Sequence, residues 1–338
     1  MTPSENEIEL SIVIPVFNEE QVLPLLFNTL VAELDSWVKG RWEVVFVDDG
    51  SSDKTVQLIH EQNGLDPRFK AVILSRNFGH QPAVSCGVAY AQGRFVGIID
   101  ADLQDPLPML QRLYRACSED GANVAFGVRK RRDASVLLKL TYKSFYRFMN
   151  RFSDHPWPVD AGDFCVMDRT AVNAVLALPE TGRILRGLRS WVGLRQVAIE
   201  YERPRRQAGN SKYNLFRLSR LAIDSIVNFS SAPLLLAVWS GLSMSVLCAA
   251  IIVFFLINRL YPSFSILGYS IGASPGTATI VTLVSLLFAI NFFCLGIIGQ
   301  YLAIVLKEVK RRPQAVVQQV VGQLKRRSAA YPVGEDET

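Results

Sequence analysis

Asp100 and Asp102 stand one residue apart at the end of the apolar run 95–99, in the string Asp100-Ala101-Asp102-Leu103-Gln104-Asp105-Pro106. Residues i and i+2 of an extended chain project on the same side, so a strand that persists through this run turns both carboxylates toward one ion. An all-oxygen pair suits a hard divalent cation, Mg²⁺ or Mn²⁺, which takes one or two carboxylates from a protein and fills its shell with water and substrate phosphates. A lone Asp-x-Asp is more often an acidic turn; its weight comes from its surroundings. Three more polar clusters end apolar runs: Pro15, Asn18 and Glu19 in IPVFNEE, Asp48, Asp49 and Gly50 in VDDGSSDKT, and Arg76, Asn77, Phe78, Gly79, His80 and Gln81 after the third run. The Asp48–Asp49–Gly50 turn can accept from the N3–H of a uracil or from ribose hydroxyls, while backbone N–H groups at a helix start favour anions. With the aspartate pair, these clusters describe a site for a nucleoside diphosphate.

Such clusters must be carried to one edge. The pattern predicts a strand over 10–16, a helix over 19–37, a strand over 42–47, a helix opening near Asp53, a strand over 71–74, a helix over 81–91 and a strand ending at Asp100. Repeated β-α-β units with continuous apolar strands imply a parallel sheet covered on both faces, whose ligands bind beyond the carboxyl ends of the strands. The first strand-to-helix turn, PVFNEE, lacks the glycine fingerprint of a dinucleotide site, which argues against an oxidoreductase.

Hydrophobic residues make up 49% of the 338, and mean hydropathy is +0.20. They are unevenly spread: no Asp, Glu, Lys or Arg falls between Asp224 and Arg259, or between Arg259 and Lys307. Each gap holds an apolar run, 234–257 and 279–306, long enough to cross a hydrocarbon core of roughly 30 Å as a helix. Arg203, Arg205, Arg206, Lys212, Arg217 and Arg220 precede the first run, and Lys307, Lys310, Arg311 and Arg312 follow the second. The positive-inside rule then places both termini in the cytoplasm, and the acidic start MTPSENEIEL does not read as a signal peptide. Segments 135–153 and 213–230 mix basic and aromatic residues in the manner of helices lying in the membrane interface. The expected division is a catalytic domain over 1–212 that includes the interfacial helix 135–153, a second interfacial helix over 213–230, two spans within 231–306 and a basic tail over 307–338. Cysteines 86, 117, 165, 248 and 294 lack paired metal spacing and read as packing residues of a reducing compartment.

IPVFNEE, VDDGSSDKT, NFGHQ and DADLQDP, in this order, resemble the GT-A catalytic domain of family-two glycosyltransferases. Within it they are most similar to the polyprenyl-phosphate glycosyltransferases: dolichol-phosphate mannose synthases, and the bacterial bactoprenol glucosyltransferases with two C-terminal transmembrane helices. The bactoprenol branch is the nearer because it joins residues like Gly162, Asp163 and Phe164 to paired spans. The resemblance implies that Pro15, Asn18, Glu19, Asp48 and Asp100 line a nucleoside pocket, that Asp102 coordinates the metal and that Gln104 approaches the sugar. Asp49, Asn77, Gly79 and Ala101, from the same turns, complete the candidate nucleotide-sugar set, and Asp100 the candidate metal pair. YERPRRQAGNSKY, residues 201–213, resembles the family's basic loop, with Arg203, Arg206 and Lys212 matching its cations; Arg129 corresponds to a further cation near the acceptor phosphate. The implied reaction moves a hexose, glucose first, from a UDP-sugar to undecaprenyl phosphate at the cytoplasmic face of the inner membrane. Mannose from GDP-mannose, a modified sugar and a dolichyl acceptor are the alternatives. A homo-oligomer is expected, and no nucleic-acid partner.

Donor and acceptor phosphates crowd like charges, which a divalent ion and arginines offset. Asp163 is the position usually given to a catalytic base in such enzymes, with Asp160 the runner-up. Yet a phosphate monoester with a second pKa of about 6 has already lost most of its proton at neutral pH, so Asp163 is expected mainly to orient sugar or balance arginines. A processive synthase would carry a Gln-x-x-Arg-Trp element, which Arg186-Gly187-Leu188-Arg189-Ser190-Trp191 does not match. A lipid-sugar translocator fits poorly with two spans lacking internal charge, and a non-catalytic scaffold fits poorly with intact acidic clusters.

Overall fold

The computed structural model describes residues 8–129, 161–180, 184–202, 234, 237–244, 246–247, 249–250, 253 and 277–327. The expected interfacial helices, the basic loop with Arg203, Arg206 and Lys212, and much of the first expected span lie outside these residues.

An eight-stranded sheet has the order β7-β5-β6-β4-β1-β2-β3-β8. Its parallel centre is built from β1 (Leu10–Val16), β2 (Trp42–Asp48), β3 (Phe69–Leu74) and β4 (Phe95–Ile98). Strands β5 (Val124–Arg129), β6 (Ala161–Asp168) and β7 (Gln196–Tyr201) extend one side, with β6 antiparallel to both β4 and β5. Chain order runs outward from β1 through β2 to β3, then crosses to β4 on the other flank of β1. That reversal opens a crevice at the carboxyl ends of β1 and β4, the usual ligand site of such sheets.

The central strands are buried on both faces. Ile12, Ile14, Val44 and Phe46 enter one core layer; Val13, Val45 and Val47 enter the other, as period-two alternation requires. Helix α1 (Leu23–Trp37) buries Leu23, Leu26, Phe27, Leu30 and Leu34, a 3.6-period stripe, against the first layer. It starts four residues later than the pattern predicts, because a helix from residue 19 would hold Pro24 in its interior; residues 19–22 form a turn on the Glu19 carbonyl instead. Helices α2 (Thr55–Leu65) and α4 (Leu107–Ser118) also contribute to the first layer. Helices α3 (His80–Tyr90), α5 (Arg169–Ala177) and α6 (Leu185–Val192) cover the second. At Gly87 in α3 an added Cβ would lie 2.4 Å from Val13 Cγ1 and 2.7 Å from Val47 Cγ2, so the helix rests directly on the sheet.

Two expectations change. Residues 307–338, read as a basic tail, contain β8 (Val317–Val321), which pairs antiparallel with β3 and closes that edge. Ala315 and Val317 are fully buried, and Arg327 N–H donates to the Ala89 carbonyl at 2.9 Å. Flanking lysines and arginines masked a short apolar strand whose partner lies far away in sequence. The last central strand also ends at Ile98, before Asp100, so the two carboxylates are placed by a turn and not by strand alternation.

The second compact unit includes α7 (Thr277–Lys310). Its segment Leu286–Lys310 has mean hydropathy 2.0 and none of its most apolar stretch buried; among the described residues it is the one helix long and apolar enough to cross a membrane.

Candidate active site

Four strand ends meet around the crevice, and their loops are bolted together by side chains. Asn18, at φ 55°, follows β1. Its backbone N–H donates to Ser51 Oγ at 2.9 Å and its side-chain oxygen accepts from Ser52 N at 2.8 Å. Glu19 N–H reaches Thr55 Oγ1 at 2.9 Å. The polar run after β1 therefore fixes the loop after β2.

Asp48 and Asp49 have separate tasks. Asp48 is 1% exposed; its Oδ2 accepts from Gly50 and Ser51 N–H at 3.1 and 3.0 Å, while its Oδ1 is buried without a hydrogen-bond partner among the described residues. Buried acceptors are rarely left unmet, and this one suits a donor such as a nucleobase N–H. Asp49 is occupied: its two oxygens accept from Phe78 N at 2.7 Å and Gly79 N at 2.9 Å. Burial pushes its carboxyl above the usual 3.8 despite those bonds, with Asp48 adding to the rise. Asp49 thus anchors the β3–α3 loop. Gly79 has φ 102°, and Asn77 is exposed beside it.

After β4, Asp100 N–H donates to Asp105 Oδ2 at 3.3 Å, and Gln104 N–H to Asp102 Oδ1 at 3.1 Å. Leu103 takes φ 55° to close this turn. Ala101 and Gln104 are buried, while Asp100 and Asp102 are partly exposed. Tyr201 OH at the end of β7 donates to Asp105 Oδ1 at 3.2 Å. Arg129, the last residue of β5, is in register with Tyr201, which puts its backbone at the same sheet edge.

Asp163 lies on β6, on the face that carries Cys165 and Met167 into the second core layer. Its Oδ2 accepts from Gln81 Nε2 at 2.7 Å and lies 3.4 Å from His80 Nε2. Burial alone would raise its carboxyl, but the His80 bond and the charges of Arg186, His80 and Arg189 outweigh it and hold it below 3.8. His80, with Nε2 also 4.0 Å from Asp100 Oδ1, shifts the other way. Burial opposes charge on the ring, but Asp163, Asp100 and Asp49 prevail and raise it above 6.5. Arg189 is 1% exposed, its guanidinium 4.6 Å from the Phe126 ring centre.

The sequence places His80 and Gln81 in the same polar cluster as Asn77 and Gly79, but only the latter two carry an assigned role there. Sequence reading compared Arg186 and Arg189 only with another motif; their i, i+3 spacing puts both on one face of α6, and their charges act on Asp163.

The model of glycosyl transferase family 2 matches residues 11–176. The uncharacterized glycosyltransferase YkcC of Bacillus subtilis is 37% identical over 93% of this chain and 95% of its own. The bactoprenol glucosyl transferase of Shigella phage SfII is 33% identical over 92% of this chain and 97% of its own. The chain belongs to glycosyl transferase family 2. Among solved structures, the mannosyltransferase PcManGT from Pyrobaculum calidifontis, in complex with GDP-Man and Mn²⁺, aligns with TM-score 0.46 and 15% identity over 90% of this chain and 88% of that one. Among the described residues of this family 2 glycosyltransferase, no group of three or more His, Cys, Asp and Glu could enclose a metal ion. Asp100 and Asp102, partly exposed oxygen donors in one turn after β4, instead suit a hard divalent ion that takes the rest of its shell from water and phosphates.

Proposed function

We propose that this enzyme transfers glucose from UDP-glucose to undecaprenyl phosphate at the cytoplasmic membrane face, giving the polyprenyl-phosphate sugar and UDP. The observation that carries the acceptor is the end-to-end match to bactoprenol glucosyl transferases, which runs beyond the catalytic sheet to 92% of this chain. The unmet Asp48 Oδ1 at the crevice supports a nucleobase donor. A second long helix over 234–257 beside α7, both termini cytoplasmic, is the membrane arrangement in this reading.

Asp102, with Asp100, would hold Mg²⁺ or Mn²⁺, and the ion when bound neutralises charge on the diphosphate. Arg129, Arg203, Arg206 and Lys212 gather the acceptor phosphate, Gln104 lies against the sugar, and Asp163 orients the reacting groups. The acceptor oxygen attacks the anomeric carbon in line with the departing UDP, so an α-linked donor gives a β-linked product.

Detergent-purified protein with undecaprenyl phosphate, Mn²⁺ or Mg²⁺ and radiolabelled UDP- and GDP-sugars tests the reading. Metal-dependent entry of label from UDP-glucose into the organic phase, lost in Asp102→Ala, is the expected result. Label from GDP-mannose alone would move the donor to mannose; an α product from an α donor would exclude the single displacement.

A further inference from the structure

We propose that His80 is a positioning residue of the transfer reaction: beside Gln81 it holds one oxygen of Asp163, leaving the other for the substrates. The claim rests on the reading above, in which Asp163 meets the reacting groups.

Both side chains approach the same atom, Gln81 by a hydrogen bond and His80 by an ion-pair contact. Gln81 Nε2 and His80 Nε2 approach Asp163 Oδ2 at 2.7 and 3.4 Å, whereas Oδ1 is buried and lacks a hydrogen-bond partner among the described residues. A carboxylate gripped by one oxygen keeps a fixed plane, and a buried oxygen without a donor is costly unless a ligand supplies one. The two grips differ in freedom. Gln81 is itself locked, since its Oε1 accepts from Leu185 N at the start of α6 at 3.0 Å. His80 is 46% exposed at its side chain, and its ring stands between Asp163 and Asp100 Oδ1, 4.0 Å away. That longer distance is electrostatic attraction, not a hydrogen bond. His80 therefore links the carboxylate on β6 to the aspartate turn after β4.

The ring's own position is set upstream. Asp49 binds Phe78 and Gly79 N–H, fixing the residues that launch α3, and Gly87 seats that helix on β1 and β2. The loop that carries the unmet Asp48 oxygen thus reaches Asp163 through a short chain of contacts: Asp49, the Phe78–Gly79 backbone, His80. A half-exposed ring in a first helical turn leaves no cavity when removed, so a purely structural histidine would affect stability little and catalysis not at all.

His80→Ala and His80→Gln separate these roles, measured by steady-state transfer in the full-length enzyme. Misplacement of a reacting group by about 1 Å costs on the order of a hundredfold. The expected result is a kcat loss of roughly 10- to 100-fold in His80→Ala with donor KM little changed, and recovery of most of it in His80→Gln, whose amide can still donate to Asp163. In an Asp163→Asn background, His80→Ala should cost much less than in the parent, since interacting groups are non-additive. Equal losses in both backgrounds, or a raised donor KM with kcat intact, would overturn the proposal. An activity-free readout keeps it distinct from the assigned reaction. The chain has three histidines, so the His80 imidazole signal in ¹⁵N NMR can be assigned by its absence from His80→Gln. Without substrate it should move on Asp163→Asn; a signal indifferent to that change also refutes the contact, whatever sugar the parent transfers.

Discussion

Asp163 sits among cations, and this decides which kind of chemistry it can do. A carboxyl held below 3.8 is ionised throughout the neutral range and is a weak base, while the acceptor phosphate, with a second pKa of about 6, needs little help in losing its proton. Asp163→Asn should therefore lose activity by a factor that stays nearly constant from pH 6 to 9 in the transfer assay; recovery toward pH 9 would instead mark proton removal. The linked stability runs in the same direction. Because its folded pKa is depressed, the ionised carboxylate's contribution is present above 3.8 and is lost only as pH falls through the lower, folded value. The buried thiols give an independent check on the core. Burial pushes Cys86 and Cys117 up to about 12, so only about one in ten thousand is thiolate at pH 8. A brief maleimide pulse on native enzyme, followed by mass spectrometry, should leave both unlabelled, and denaturation should expose them.

Helix α3 transmits sheet geometry to the site, since its first turn carries both residues that hold Asp163. Gly87→Ala would force a methyl to within 2.4 Å of Val13 Cγ1, and overpacking of this sort costs about 1–3 kcal/mol. Lower denaturation midpoint together with lower kcat is the expected outcome; a stability loss without any change in kcat would show that the first turn moves independently of the helix body. The parallel centre was legible because Leu10–Val16 and Trp42–Asp48 are predominantly apolar runs, each followed by helix-start signals. The pairing of β8 with β3 was not, because Val317–Val321 is short, has two glutamines interrupting its valines and is set among basic residues; only the unfilled edge of β3 demands it. The turns were legible as locations and less so as roles. Asn18 and Asp49 both read as ligand groups, yet their side-chain oxygens hold Ser52, Phe78 and Gly79 N–H. Such long-range bonds leave no local spacing to find. His80 was legible as a member of its polar run but not by role, for the same reason, its partner lying 83 residues onward at Asp163.

At the scale of the molecule, β8 gives the segment after α7 a share in the catalytic sheet. The long apolar helix ends at Lys310, and β8 begins at Val317, so a few residues lead from the second compact unit into the edge of the first. Between them Gln314 donates to the Glu180 carbonyl at 3.2 Å, and Ser75 N–H to that of Val316 at 3.0 Å; Ser75 immediately precedes the loop that holds His80. A soluble version of the enzyme cannot simply end before the first apolar run. Stopping at residue 229 would remove Ala315, Val317 and Val321 from the core and leave β3 an open hydrophobic edge, which favours aggregation. Replacing residues 213–310 with a flexible linker of about 20 residues, whose mean span is roughly 25 Å, keeps the strand. The linked form should remain monodisperse and bind UDP, as size-exclusion chromatography and calorimetry can measure, while the form ending at 229 should aggregate or melt lower. Equal stability of the two would mean that β8 is dispensable to the sheet it completes.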